Sequence, residues 1–160
     1  MQSEYNKRYT PREAKLKIAK YCAYQERCHQ EVRDKLYTYG LAKEDVELII
    51  YELIEQDFLN EERFALAYVR GKFRHKKWGR TKITLELKRR KISAYCIKKG
   101  MREIDEDDYL KTLDELIAKK IASQKAIKHY QKCYKAVQYV MTKGYESDLA
   151  WNIIKSKYAV

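Results

Sequence analysis

Residues 58–92 read FLNEERFALAYVRGKFRHKKWGRTKITLELKRRKI, and this stretch decides how the rest of the chain is parsed. Asn60 followed by two glutamates is a helix start: a short polar side chain caps free N–H groups, and carboxylates suit the positive end of a helix. Phe64, Ala67 and Tyr68 then read as the apolar stripe of a helix running to about Lys76. Trp78-Gly79 breaks that helix. Ile83 and Leu87, four apart, mark a second one. Ser93 caps a third, with Ile92 and Ile97 placed to pack across the turn.

The same pattern lies on either side. Toward the N-terminus, Thr10-Pro11-Arg12-Glu13 combines a cap, a proline at the first helical position and a capping-box glutamate, which predicts a helix over Arg12–Tyr24. Val32 and Leu36 mark a helix over Gln30–Tyr39 that stops at Gly40. Val46, Ile49, Ile50 and Leu53 mark another over Lys43–Gln56. Toward the C-terminus, Leu110, Leu113, Ile117 and Ile121 define a helix from near Asp105. Ala136 and Val140 define the next, ending at Gly144. Leu149, Ala150, Ile153 and Ile154 define the last. The turn positions Gly40, Lys91 and Gly144 recur at offsets of 51 residues (40 to 91) and 53 residues (91 to 144).

The chain therefore reads as all-α: a disordered N-terminus over 1–9, then three tandem three-helix repeats over 10–57, 58–104 and 105–160. Repeats of this size are too small to be very stable alone. Neighbours are expected to stack into an elongated, curved, solenoid-like molecule rather than one nine-helix bundle. Five Gly and one Pro in 160 residues argue against an all-β chain, whose turns need both.

Charge divides the repeats. The net charge is +12, which favours anionic partners, nucleic acid first among them. Between Arg70 and Lys91 stand eleven Lys or Arg, and Glu86 is the only carboxylate. Glu44–Glu62 holds eight carboxylates and no Lys or Arg, and Glu103–Asp108 holds five more. In the third repeat Lys119, Lys120, Lys125, Lys128, Lys132 and Lys135 restore the positive sign. Contact with phosphate and contact with an acidic protein surface both fit this distribution. Trp78 reads either as a base-stacking residue or as a plug in the seam between two helices.

Signatures of catalysis do not emerge. The five Gly stand too far apart for a P-loop or a dinucleotide fingerprint. Cys22, Cys28 and His29 lack zinc-ligand spacing, and Cys28 beside His29 gives no geometry for a dyad. No catalytic, cofactor-binding or metal site is expected. Cys22, Cys28, Cys96 and Cys133 are scattered and expected to be reduced, no apolar run is long enough to span a membrane, and Met1–Ala23 lacks the apolar core of a signal peptide. The expected compartment is the cytoplasm, and the membrane is not an expected partner.

Phe58-Leu59-Asn60-Glu61-Glu62-Arg63-Phe64-Ala65 with Tyr68-Val69 resembles the joint between the first two repeats of the RecX family. Trp78-Gly79-Arg80-Thr81-Lys82-Ile83, with Glu86-Leu87 and Lys91-Ile92, is similar to that family's second-repeat signature. Members usually carry Pro where this chain has Arg80, and Gly where it has Asp57 and Lys91. A lysine at 91 is expected to close its helix in the left-handed region at ~1 kcal/mol. The resemblance implies a monomeric, non-enzymatic regulator of the RecA recombinase that lies along the RecA–single-stranded-DNA filament and limits its ATP hydrolysis and recombination. It points to Arg70, Arg74, Lys76, Lys77, Trp78, Arg80, Lys82, Lys88, Arg89 and Arg90 as the surface that meets the filament or the single-stranded DNA in it. Two readings stand beside it: a stand-alone helix-turn-helix-like DNA-binding protein, and a helical adaptor for an acidic protein.

Overall fold

The structure is a computed structural model that describes residues 8–125 and 127–159. Nine helices occur among the described residues: α1 Pro11–Tyr24, α2 His29–Thr38, α3 Lys43–Glu55, α4 Glu61–Lys76, α5 Arg80–Arg89, α6 Ala94–Met101, α7 Glu106–Ser123, α8 His129–Thr142 and α9 Ser147–Lys157. They pack as three successive triplets, α1–α3, α4–α6 and α7–α9. The caps expected at Thr10, Asn60 and Ser93 are in place, and Asp105 adds a fourth. Thr10, Asn60, Ser93 and Asp105 each accept a hydrogen bond from the backbone N–H three residues on.

The apolar interior falls into two clusters. Ala14, Ile18, Val32, Leu36, Val46, Ile50, Leu53 and Leu59 form one cluster in the first triplet. Phe64, Val69, Ile83, Leu87, Tyr109, Leu113, Val140 and Ile154 belong to a second, continuous through the other two. Cys28, from the first triplet, is buried in that second cluster.

Three expectations are corrected. Of the N-terminus 1–9 read as disordered, residues 1–7 lie outside the described residues; Tyr9 is held, its N–H donating to the Tyr39 carbonyl at 3.0 Å and its ring meeting Tyr39 edge-on. The buried stripe of α4 is Phe64, Ala65, Val69 and Phe73, while Ala67 is exposed. The cause is the close approach of α6, where Gly100 sits against Val69 and the Ala65 carbonyl with no room for a Cβ. Leu110 is half-buried and lines a shallow groove instead of the core, where Tyr109 and Leu116 take the buried places on α7; Leu149 and Ile153 line the same groove but also pack against the core.

The turns carry the repeat into the backbone. Gly40, Lys91 and Gly144 all have positive φ, at 81°, 58° and 98°. Asp57, the other position where glycine is missing, has φ 60°, and the Phe58 N–H behind it returns to the Leu53 carbonyl at 2.9 Å. The left-handed helix closure is thus kept at both positions without the residue that adopts it freely. Replacing Lys91 with Gly is expected to raise stability by up to about 1 kcal/mol, read as a higher urea midpoint at unchanged slope.

Candidate nucleic-acid interface

The Trp78-Gly79 break is where the middle triplet meets the third. Lys77 caps α4 in the left-handed region at φ 56°, turning the chain so that Gly79 lies against the α8–α9 turn. The Gly79 N–H donates to the Lys143 carbonyl at 2.7 Å, the Thr81 N–H donates to the Gly144 carbonyl at 3.0 Å, and the Tyr145 hydroxyl donates to the Lys77 carbonyl at 3.0 Å. A Cβ on Gly79 would collide with the Gly144 carbonyl and the Tyr145 nitrogen, and one on Gly144 would collide with Lys82. Two backbones touch here, and only glycine permits it.

Arg80 belongs to this joint. Its backbone N–H donates to the Tyr109 hydroxyl at 3.1 Å, and that hydroxyl donates to the Glu146 carboxylate at 2.7 Å. Its guanidinium lies over the Tyr109 ring, 3.9 Å from the centroid, and pairs with Glu106 and Glu146. Tyr109 is fully buried; burial first, and the Glu146 carboxylate in addition, push its phenol far above the ordinary range and keep the donor proton in place.

The ten residues read as a contact surface divide accordingly. Four arginines are ion-paired within the chain. Arg70 pairs with Glu103 at 3.2 Å, Arg80 with Glu106 and Glu146, Arg89 with Glu86 at 2.8 Å, and Arg90 with Glu86 at 3.2 Å and Glu31 at 3.7 Å. Arg90 also lies over the half-buried Tyr68 ring and so ties α2 to the middle triplet. Arg74, Lys76, Lys77 and Lys88 are exposed and, among the described residues, pair with no carboxylate. Lys82 and Lys72 place their ammonium groups over the Trp78 ring at 4.4 and 4.9 Å, and Trp78 itself packs on the core between the two triplets.

The free cations do not form one patch. Arg74 and Lys76 close α4, and Lys88 shares a shallow groove on α5 with Arg80, Thr81, Thr84 and Leu85. Lys77 turns toward the third triplet, where it lines a cleft with Glu115, Lys119, Lys120, Tyr139 and Lys143. Lys143 and Tyr139 did not enter the sequence reading as site residues, because neither lies in a charge run; only the turn at Gly144 brings them beside Lys77.

Tandem three-helix units with a cationic middle member and a glycine-built joint between the second and third define a helical-repeat protein. The family model described as RecX, second three-helix domain, matches residues 60–101. The chain is 30% identical over 128 residues to the regulatory protein RecX of Clostridium perfringens strain 13, covering 79% of this chain and 59% of that protein's length. It is 23% identical over 135 residues to the regulatory protein RecX of Amycolatopsis mediterranei, covering 84% and 77%. The crystal structure of RecX from Lactobacillus salivarius superposes with a TM-score of 0.81 at 23% identity, covering 94% of this chain and 97% of that one. The chain thus resembles RecX proteins over about four fifths of its length, shares the fold of the solved RecX structure, and spans about three fifths of the length of the first relatives it matches.

The two kinds of cation make opposite predictions. Arg80→Ala removes a half-buried guanidinium from an aromatic ring and two carboxylates and is expected to cost about 1–2 kcal/mol. Lys88→Ala, with no such partners, should leave the denaturation midpoint unchanged. Gly79→Ala forces the two backbones apart and is expected to cost about 2–3 kcal/mol, measured in the same urea titration.

Proposed function

We propose that the chain regulates the RecA recombinase without chemistry of its own, by lying along the RecA–single-stranded-DNA filament in the cytoplasm as a monomer and restraining its ATP hydrolysis and recombination. The observation that carries this reading is the set of unpaired cations on the triplet that the family model matches. Arg74, Lys76, Lys77, Lys82 and Lys88 are the contact residues in this reading, with Arg70, Arg80, Arg89 and Arg90 holding the surface in shape. Cations with no carboxylate beside them present an uncompensated positive field to phosphate or to an acidic face of the filament, and a row of bundles can span neighbouring protomers.

A stand-alone helix-turn-helix protein would set a recognition helix into a major groove. The third helix of the first triplet, α3, carries Glu44 and Asp45 in its first turn and has no basic residue in its last turn, which suits no such placement. An adaptor for an acidic protein would use the same cations and differ only in needing no DNA.

RecA ATPase measured on single-stranded DNA should fall when the chain is added at a concentration matching RecA, and the fall should shrink as salt is raised. An unchanged rate overturns the proposal. Arg74→Glu combined with Lys88→Glu is expected to raise the half-inhibitory concentration on the order of tenfold, a loss of about 1.4 kcal/mol; normal inhibition by that variant would move the contact elsewhere.

A further inference from the structure

The cleft between the end of α4, the C-terminal part of α7 and the end of α8 has a volume of about 510 Å³, within the range of small-ligand sites. Four ammonium groups line it, those of Lys77, Lys119, Lys120 and Lys143, against the single carboxylate of Glu115. None of the four forms an ion pair among the described residues. Its apolar side is Leu116, which is buried, and the Tyr139 ring, over which Lys120 and Lys143 stand at 5.1 and 6.0 Å. Like charges gathered in a concave site repel one another and focus the field outward. The arrangement is stabilised when an anion enters.

Helix polarity does not account for it. The last turn of α4 already holds Arg74, His75 and Lys76, so the negative end of that helix is answered before Lys77 is reached. Lys77 instead occupies a left-handed position at φ 56° that a glycine would fill without strain. The joint fixes two of the four residues by their backbones, since the Lys77 carbonyl accepts from Tyr145 and the Lys143 carbonyl accepts from Gly79. The joint therefore brings Lys77 of the second triplet to a cleft otherwise lined by α7 and the end of α8.

We propose that this cleft is a binding site for consecutive phosphate groups, supplied by a single-stranded nucleic-acid backbone or by a nucleoside triphosphate. Lysine ammonium groups are compact point charges with rotatable donors, which suits tetrahedral phosphate. No arginine lines the cleft to grip a carboxylate in a two-pronged pair. The site lies apart from the α4–α5 surface and shares only Lys77 with it; it needs no recombinase, so it can fail while the reading above holds, and the reverse.

The test uses the full chain without RecA. Binding of a fluorescent oligo-dT and, separately, of ATP is titrated for the parent, for Lys119→Glu with Lys120→Glu, for Lys119→Arg with Lys120→Arg, and for Arg74→Glu with Lys88→Glu. Circular dichroism checks that each variant is folded. The expected result is at least one probe bound by the parent and weakened tenfold or more by the α7 Glu pair, with the Arg pair retaining binding. For oligo-dT the salt slope should also fall by about 1.4, at about 0.7 per phosphate on a single strand. Loss with oligo-dT alone assigns the site to a strand, and loss with ATP alone assigns it to a nucleotide. The proposal is overturned if neither probe binds, if the α7 Glu pair binds as the parent does, if only the α4–α5 pair loses binding, or if poly-glutamate binds as tightly as the better phosphate probe and is lost in parallel.

Discussion

The structure depends on one close approach, the backbone of Gly79 against the backbone of Gly144. Nothing larger than hydrogen fits at either Cα. Because the approach is that close, the Gly79 and Thr81 N–H groups reach carbonyls of another triplet, Tyr145 reaches back to Lys77, and Tyr109 is sealed between them. A core continuous through α4–α9 follows. Two small bundles that would each be marginal share one interior.

Arg80 shows how a departure from the family pattern can be absorbed. Proline at the first position of a helix lacks an N–H that would be unsatisfied there in any case. Arginine restores the N–H, and Tyr109 accepts it. The same side chain then brings a guanidinium to Glu106 and Glu146. The departures at Asp57 and Lys91 are met differently, by backbone that stays left-handed under side chains that disfavour it. In each case the geometry of the turn is retained and the local chemistry changes around it.

Most of the helical order was legible because helices announce themselves through caps and apolar spacing. Thr10, Asn60 and Ser93 cap where their side chains predict, and the 51- and 53-residue offsets fall on turns with positive φ. Which face of α4 is buried was not legible, since Gly100, more than thirty positions away, decides it by letting α6 approach Ala65 and Val69. The candidate site was legible only as a charge count. Arg70, Arg80, Arg89 and Arg90 read as free cations in sequence because Glu103, Glu146 and Glu31 are distant in the chain, and Glu86, though near, serves two of them.

The two seams of the molecule differ in kind. Between the second and third triplets the contact is built on touching main chain, with the Arg80 ion pairs and the Tyr109 and Tyr145 hydroxyls around it. Between the first and second it runs through Arg90 to Glu31, Arg63 to Glu26 at 2.6 Å, and the buried Cys28. Ion pairs at a partly exposed surface weaken as salt screens them, and interdigitated backbone does not. The first triplet is therefore joined to the second partly through ion pairs that salt can screen, whereas the second and third share backbone contacts and one core.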